Sequence, residues 1–294
     1  MSDTPASLRR SIASAGDLQA VVRSMKALAG ASISQYEQSV LALAEYYRSV
    51  ELGLSLCLRQ SPALVSALEP TPGPRTPVGV VVFGSDQGLV GQFNEQLAAF
   101  TIRALGDMPG DLQVWAVGER MHGCLEQAGV RPKGLFRVPS SVMGIAPLVG
   151  QIQLDSEAHL AGSEQARFHL FHNRPQIGMS YAPFRQRLLP LDRQWQQTLA
   201  SIPWPSGALP EILHDAGQTL RALIREYLFI SLFRACAESL ASENASRLAA
   251  MQRADKNIEE LLAQLHSRFN SLRQSSIDAE LFEVIAGYES LSSR

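Results

Sequence analysis

Proline is absent from two long stretches at opposite ends of this chain: 56 residues between Pro5 and Pro62, and the 84 residues that follow Pro210. A proline ring removes a backbone donor and clashes with the preceding turn, so these stretches are where a helix can run unbroken. Thr4-Pro5 suits an N-cap followed by the first helical position. In the first stretch Leu18, Val22, Met25, Ala29, Ile33, Tyr36, Val40, Leu43, Tyr47, Val50, Leu54 and Cys57 recur at intervals of four and three with one extra four. That is a heptad-like seam with a single stutter. Leu248, Met251, Ile258, Leu262, Leu265, Phe269 and Leu272 follow the same rule, interrupted by the polar Asp255. At ~1.5 Å per residue the two helices would reach roughly 80 and 120 Å. Each seam needs a cover, and the simplest cover is the other helix, in a long antiparallel two-helix coiled coil with the middle of the chain inserted between. Gly16, Gly30 and Gly53 are the expected kink positions, since glycine costs about 1 kcal/mol relative to alanine inside a helix.

The middle has a different texture. Val78 to Phe83 is a short apolar run rich in β-branched residues, followed by a helical pattern from Asn94 to Leu105. This is a buried parallel strand and its crossover helix. Leu112 to Val117 and a helix from Glu119 to Ala128 repeat the unit; a helix between Ser141 and Gln153 and strands at Arg167 to Phe171 and Met179 to Leu189 complete it. The expected fold class is therefore α/β, with an inserted Rossmann-like domain. The expected boundaries are residues 1–62 for the N-terminal helix, 76–195 for the α/β domain and 210–294 for the C-terminal helix, with the proline-rich 71–77 and 202–210 as linkers.

Composition narrows the chemistry. A formal net charge of −2 removes the broad attraction on which non-specific nucleic-acid binding relies. Cys57, Cys124 and Cys236 are far apart and in no CxxC arrangement, which argues against a disulfide framework or a zinc site and for a reducing compartment. No apolar run approaches the ~20 residues needed to cross a bilayer, and the polar start lacks the apolar region of a secretory signal. A cytoplasmic location follows as the expectation, with membrane association only through partners.

Gly84-Ser-Asp-Gln-Gly-Leu-Val-Gly91 sits between strand and helix, where a phosphate loop would lie, but its spacing is not GxGxxG. The chain has only Lys26, Lys133 and Lys256, none in a GK[ST] context, so a structural tight turn is the plainer reading. His169 and His172 are spaced HxxH, yet on a strand they point to opposite faces and cannot share a metal. Glu259 and Glu260 face different ways on a helix and read as a solvated face. No nucleophile elbow occurs. No cofactor and no catalytic residue are expected.

The order of residues near the C-terminus is more specific than its composition. Ser242-Glu-Asn-Ala-Ser-Arg-Leu-Ala-Ala-Met251, Asn257, Phe269-Asn-Ser-Leu-Arg-Gln-Ser-Ser-Ile277, Glu280 and the run from Glu283 to Gly287 closely resemble the signature of ATP synthase gamma subunits. Ile12, Gln19, Met25 and Ala29 form a weaker match at the other end, and Ser85-Asp-Gln-Gly-Leu-Val-Gly-Gln-Phe-Asn94 resembles the family's SDRGLCGGLN.

The resemblance implies a non-catalytic rotor shaft inside a ring of alpha and beta subunits, with the epsilon subunit and the membrane c-ring as further partners, on the cytoplasmic face of the bacterial inner membrane. By matching position it assigns Met25, Arg247, Arg273, Gln274, Asp278 and Glu280 to coupling and subunit contact. Ser32 and Ser34 stand where basic residues are usual, Gln87 and Val90 replace arginine and cysteine, and Asp278 replaces threonine. These departures suggest a divergent bacterial form, such as one from an alternative operon. Two other readings compete: an α/β enzyme with a nucleotide site and helices that serve only oligomerisation, and a coiled-coil scaffold unrelated to ATP synthesis.

Overall fold

The computed structural model describes residues 4–60, 76–160, 166–178, 180–191, 193–208, 210–212 and 215–292. The expected linker at 71–77 falls largely outside them. By internal packing the chain divides into two compact units, Met1–Ala29 with Leu248–Arg294, and Gly30–Arg247.

Helix α1 spans Pro5–Ala42 and α2 spans Ala44–Gln60. Thr4 caps α1 reciprocally: Ser7 N–H donates to Thr4 Oγ1 at 3.2 Å and Thr4 N–H donates to Ser7 Oγ at 3.1 Å. The break comes at Leu43 and not at a glycine; Gly16 and Gly30 lie within α1 and Gly53 within α2. At Gly53 an added Cβ would meet Leu223 at 3.0 Å, so this glycine serves close packing and not a kink.

In the first unit α1 packs on the C-terminal part of helix α7, Ala216–Ser292. Arg9 stacks over the Phe269 ring, Gln19 reaches Asp255, and Arg23 reaches Glu259. From Arg9 opposite Phe269 to Lys26 opposite Asp255 the partner number falls as the first rises, which is antiparallel pairing. Leu8, Ala15, Val22 and Ala29 are buried at every seventh position, and Val22 packs with Met251 and Ile258. Leu18 departs from the expected seam: it is 54% exposed, and Gln19 takes the inward position to hydrogen-bond Asp255.

The second unit holds a five-stranded sheet in the order β3-β2-β1-β4-β5, with β1 Pro77–Phe83, β2 Asp111–Val117, β3 Gly134–Phe136, β4 Arg167–Gln176 and β5 Ser180–Leu189. The first four are parallel and β5 returns antiparallel to β4. Helices α3 (Phe93–Gly106) and α4 (Glu119–Gln127) cover the face that carries Val78, Val80 and Val82. Val81, Phe83 and Trp115 face the other layer, where α5 (Ile145–Leu160), α2, α6 (Arg193–Ser201) and α7 bury Ile145, Leu54, Leu199 and Leu232. Burial on both faces explains the unbroken apolar character of β1. The short β3 and α6 were not anticipated from the sequence.

Candidate functional site

Chain direction reverses at β1: the crossovers through α3 and α4 lead to β2 and β3 on one side, and the crossover through α5 returns to β4 on the other. In open α/β sheets the crevice beyond the carboxyl ends of the strands at such a point takes ligands. Here α7 lies across it. Ser239 Oγ donates to the Phe83 carbonyl at 3.1 Å, Ser242 Oγ to the Asn173 carbonyl at 3.0 Å, and Ser246 Oγ to the Val90 carbonyl at 2.5 Å. The three serines share one helix face through spacings of three and four. Asn173 lies two residues beyond the last β1–β4 pair, Val82↔Phe171, so its carbonyl has run out of that ladder and takes a side-chain donor instead.

The turn after β1 is closed in the same way. Ser85 N–H donates to Asn94 Oδ1 at 3.0 Å, and Asn94 Nδ2 donates to Ser85 Oγ at 2.8 Å. Asp86 accepts the Glu119 and Val138 backbone N–H groups, both at 3.0 Å, and so ties together the ends of β1, β2 and β3. At Gly118 φ is 106°, and an added Cβ would lie 2.5 Å from the Ser85 carbonyl oxygen. A loop whose Ser85 N–H is committed and whose wall carries Asp86 does not suit a phosphate.

Arg247 lies on α7 with a side chain 14% exposed, donating to Glu243 Oε1 at 2.5 Å and to Asn244 Oδ1 at 3.2 Å. Burial pushes the Glu243 carboxyl up, against the opposing pull of Arg247. Nearby, Glu238 gathers His172 Nε2 at 2.9 Å, Arg234 Nε at 2.8 Å and Arg174 Nε at 3.4 Å. Burial works against its charge, but the hydrogen bonds from His172 and Arg234 outweigh that and hold the carboxyl below its ordinary range. His169, also buried, lies beneath the opposite face; loss of solvent, then the charges of Arg185, Arg167 and Arg187, lower it to about 4. The two histidines hold structure and share no ligand.

In the first unit, Met25 is partly buried against Val22, Met251 and Ile258. Beside it, Asp255 occupies an apolar slot of the seam and accepts from Gln19 (3.2 Å), Arg23 (3.3 Å) and Lys26 (3.3 Å). Loss of solvent opposes the Asp255 charge, yet the bonds from Lys26, Gln19 and Arg23 prevail and hold its carboxyl below the usual range. A polar group at one seam position admits only the register that brings its partners opposite.

Arg273, Gln274, Asp278 and Glu280 are exposed on α7, as are Ile277, Leu281, Phe282 and Val284. The structure thus separates the six candidates: Met25 in the helix pair, Arg247 in the second unit, and four on the exposed end of α7. Sequence reasoning missed Ser239 and Ser246, Asp86, Glu238 and the full set around Asp255. The visible signals were the small-residue spacing on α7 and the interruption of the seam.

A sequence profile of the ATP synthase family matches residues 4–291. The chain is 27% identical over 290 residues to the ATP synthase gamma chain of an Anaeromyxobacter species, covering 97% of this chain and 98% of the relative. It is 27% identical over 295 residues to that of Moorella thermoacetica, with the same coverage. Its fold is similar to a chain in the Tetrahymena thermophila mitochondrial ATP synthase central stalk and c-ring (TM-score 0.57, 21% identity, 80% of this chain and 99% of that one). It is also similar to a chain in the Euglena gracilis mitochondrial ATP synthase F1 and c-ring assembly (TM-score 0.59, 17% identity, 98% and 94%).

Proposed function

This chain belongs to the ATP synthase family as a gamma chain, and on that premise we propose that it works as the non-catalytic rotor shaft of an F-type ATP synthase or ATPase. The observation that carries this reading is the single 77-residue helix α7. Its Ser239–Ser246 segment clamps the sheet, and its Met251–Leu272 segment forms one half of the helix pair. One continuous helix therefore contributes residues to both the domain and the pair.

Catalysis belongs to beta subunits around the shaft. The partners are an alpha–beta ring, an epsilon subunit and a membrane c-ring, and the chain is peripheral to the cytoplasmic face of a bacterial inner membrane through them. No helix among the described residues is long and apolar enough to cross a membrane. An asymmetric shaft gives each beta subunit a different neighbour, so rotation shifts their conformations in turn. Met25, Arg247, Arg273, Gln274, Asp278 and Glu280 form its coupling and contact set.

The test is to purify the tagged chain from its own host and measure ATPase and ion pumping of what comes with it. Alpha and beta subunits should co-purify. Replacing Arg273 and Gln274 together by alanine should lower turnover without preventing assembly. Recovery of the chain without those subunits would refute the shaft, and unchanged turnover and pumping would remove the two residues from the coupling set.

A further inference from the structure

A cavity of about 250 Å³ lies wholly within the second unit, between the junction of α1 with α2, strand β5 and helix α7. Leu43 and Ala44, the residues at the helix break, both line it; Val40 and Ile230 extend the aliphatic wall, and the exposed Leu41 forms part of the rim. Arg234 is the one charged residue in the lining, and its side chain is 48% exposed, so a ligand can reach it. Its Nε donates to Glu238 Oε1 at 2.8 Å, while among the described residues nothing accepts a hydrogen bond from either Nη. Glu238 also serves His172 and Arg174, so one carboxylate is divided between two guanidiniums and leaves a positive excess. That carboxylate lines the neighbouring groove with Glu37 and not this cavity. Two of the other polar groups here are committed, the Tyr47 hydroxyl to Glu51 and the Gln186 amide to Tyr227.

We propose that this cavity binds a free short-chain aliphatic monocarboxylate, its head group on the Arg234 Nη groups and its alkyl tail against Val40, Leu43 and Ile230. A guanidinium offers paired donors in a plane that match the two oxygens of a carboxylate, and the charge strengthens both bonds. The aliphatic wall selects for the tail: a compact anion such as phosphate would leave that surface uncovered. A cationic amphiphile is repelled by Arg234, and a neutral alcohol forgoes the charged hydrogen bonds. At about 250 Å³ the cavity falls below the ~300–1,000 Å³ of sites for drug-sized ligands, which limits the chain to a short one.

The probe is sodium hexanoate, titrated into the full-length chain at constant ionic strength by ligand-observed NMR, with n-hexanol and n-hexylammonium chloride as the uncharged and cationic counterparts. Saturable binding of hexanoate, tighter than that of either counterpart, is expected. Arg234→Gln, which removes the charge, should weaken it at least about tenfold. That change also takes a partner from Glu238, so near-ultraviolet circular dichroism checks that the variant is folded. Leu41→Trp supplies an independent test at an exposed position, where a larger side chain leaves the core undisturbed and should obstruct the rim; it decides the matter if Arg234→Gln does not fold. No saturable binding of hexanoate, equal affinity for hexanol or hexylammonium, or unchanged affinity in folded Arg234→Gln or in Leu41→Trp overturns the proposal.

Discussion

Acidification from pH 7 to pH 5 should destabilise the sheet through one residue, His169. It is 2% exposed, its Nδ1 has no hydrogen-bond partner, and it pairs across the ladder with Arg187 while Arg167 lies two positions along the same strand. Burial, then Arg185, Arg167 and Arg187, lower it from 6.5 to about 4. Because the folded value lies below the unfolded one, the unfolded chain binds the extra proton first. The stabilising contribution is fully present above 6.5 and is lost as pH falls toward 4. At about 1.36 kcal/mol per pH unit the whole span corresponds to about 3 kcal/mol, and about 2 kcal/mol of it falls between pH 7 and pH 5. The assay is urea unfolding at both pH values, followed by fluorescence of Trp115, which is buried in β2 of the same sheet. His169→Phe removes the titration, so its stability should change by about 2 kcal/mol less between the two conditions. An equal loss in the wild-type chain and the variant would refute the reasoning.

Other perturbations test the remaining elements. Ser239 and Ser242 changed singly to alanine should each cost about 1–3 kcal/mol in urea unfolding, since each leaves a buried carbonyl short of a donor. Ser246→Ala should cost less because the Val90 carbonyl keeps the Phe93 N–H, and the exposed Ser24→Ala should stay within about 0.5 kcal/mol. Gly118→Ala should cost several kcal/mol or prevent folding, because φ is 106° and the new methyl group would lie 2.5 Å from the Ser85 oxygen; circular dichroism of the purified variant decides. The Asp255 carboxyl is held low, so its contribution to the helix pair is present above its ordinary value of 3.8 and lost in more acidic solution. Asp255→Asn should flatten that acid limb in a helicity titration. Met25→Lys places a third cation beside Arg23 and Lys26 in the seam, and in reconstituted vesicles ion pumping should fall more than ATP hydrolysis; a strictly proportional fall would assign Met25 to general stability.

Much of the architecture lies in local pattern. Two proline-free ends, the seam at Val22, Ala29, Tyr36, Val50, Leu54 and Cys57, and the β-branched run of β1 were legible because helical and extended backbones repeat every 3.6 and 2 residues whatever lies around them. The resemblance near Arg247 and Arg273 was legible because it is an order of residue types.

Spatial partnership was not legible. Nothing near Ser242 in the chain announces that the Asn173 carbonyl, 69 residues away, needs its hydroxyl. Asp255 read as a flaw in an apolar stripe until Gln19, Arg23 and Lys26 came to face it, and Leu18 read as a seam residue until they turned it outward. Leu43 carries no proline or glycine, so no propensity marks the break between α1 and α2 there. Periodicity reports which face of an element is apolar. Only the packed chain decides which buried polar atoms meet, because each such pairing depends on two distant segments arriving at the same place.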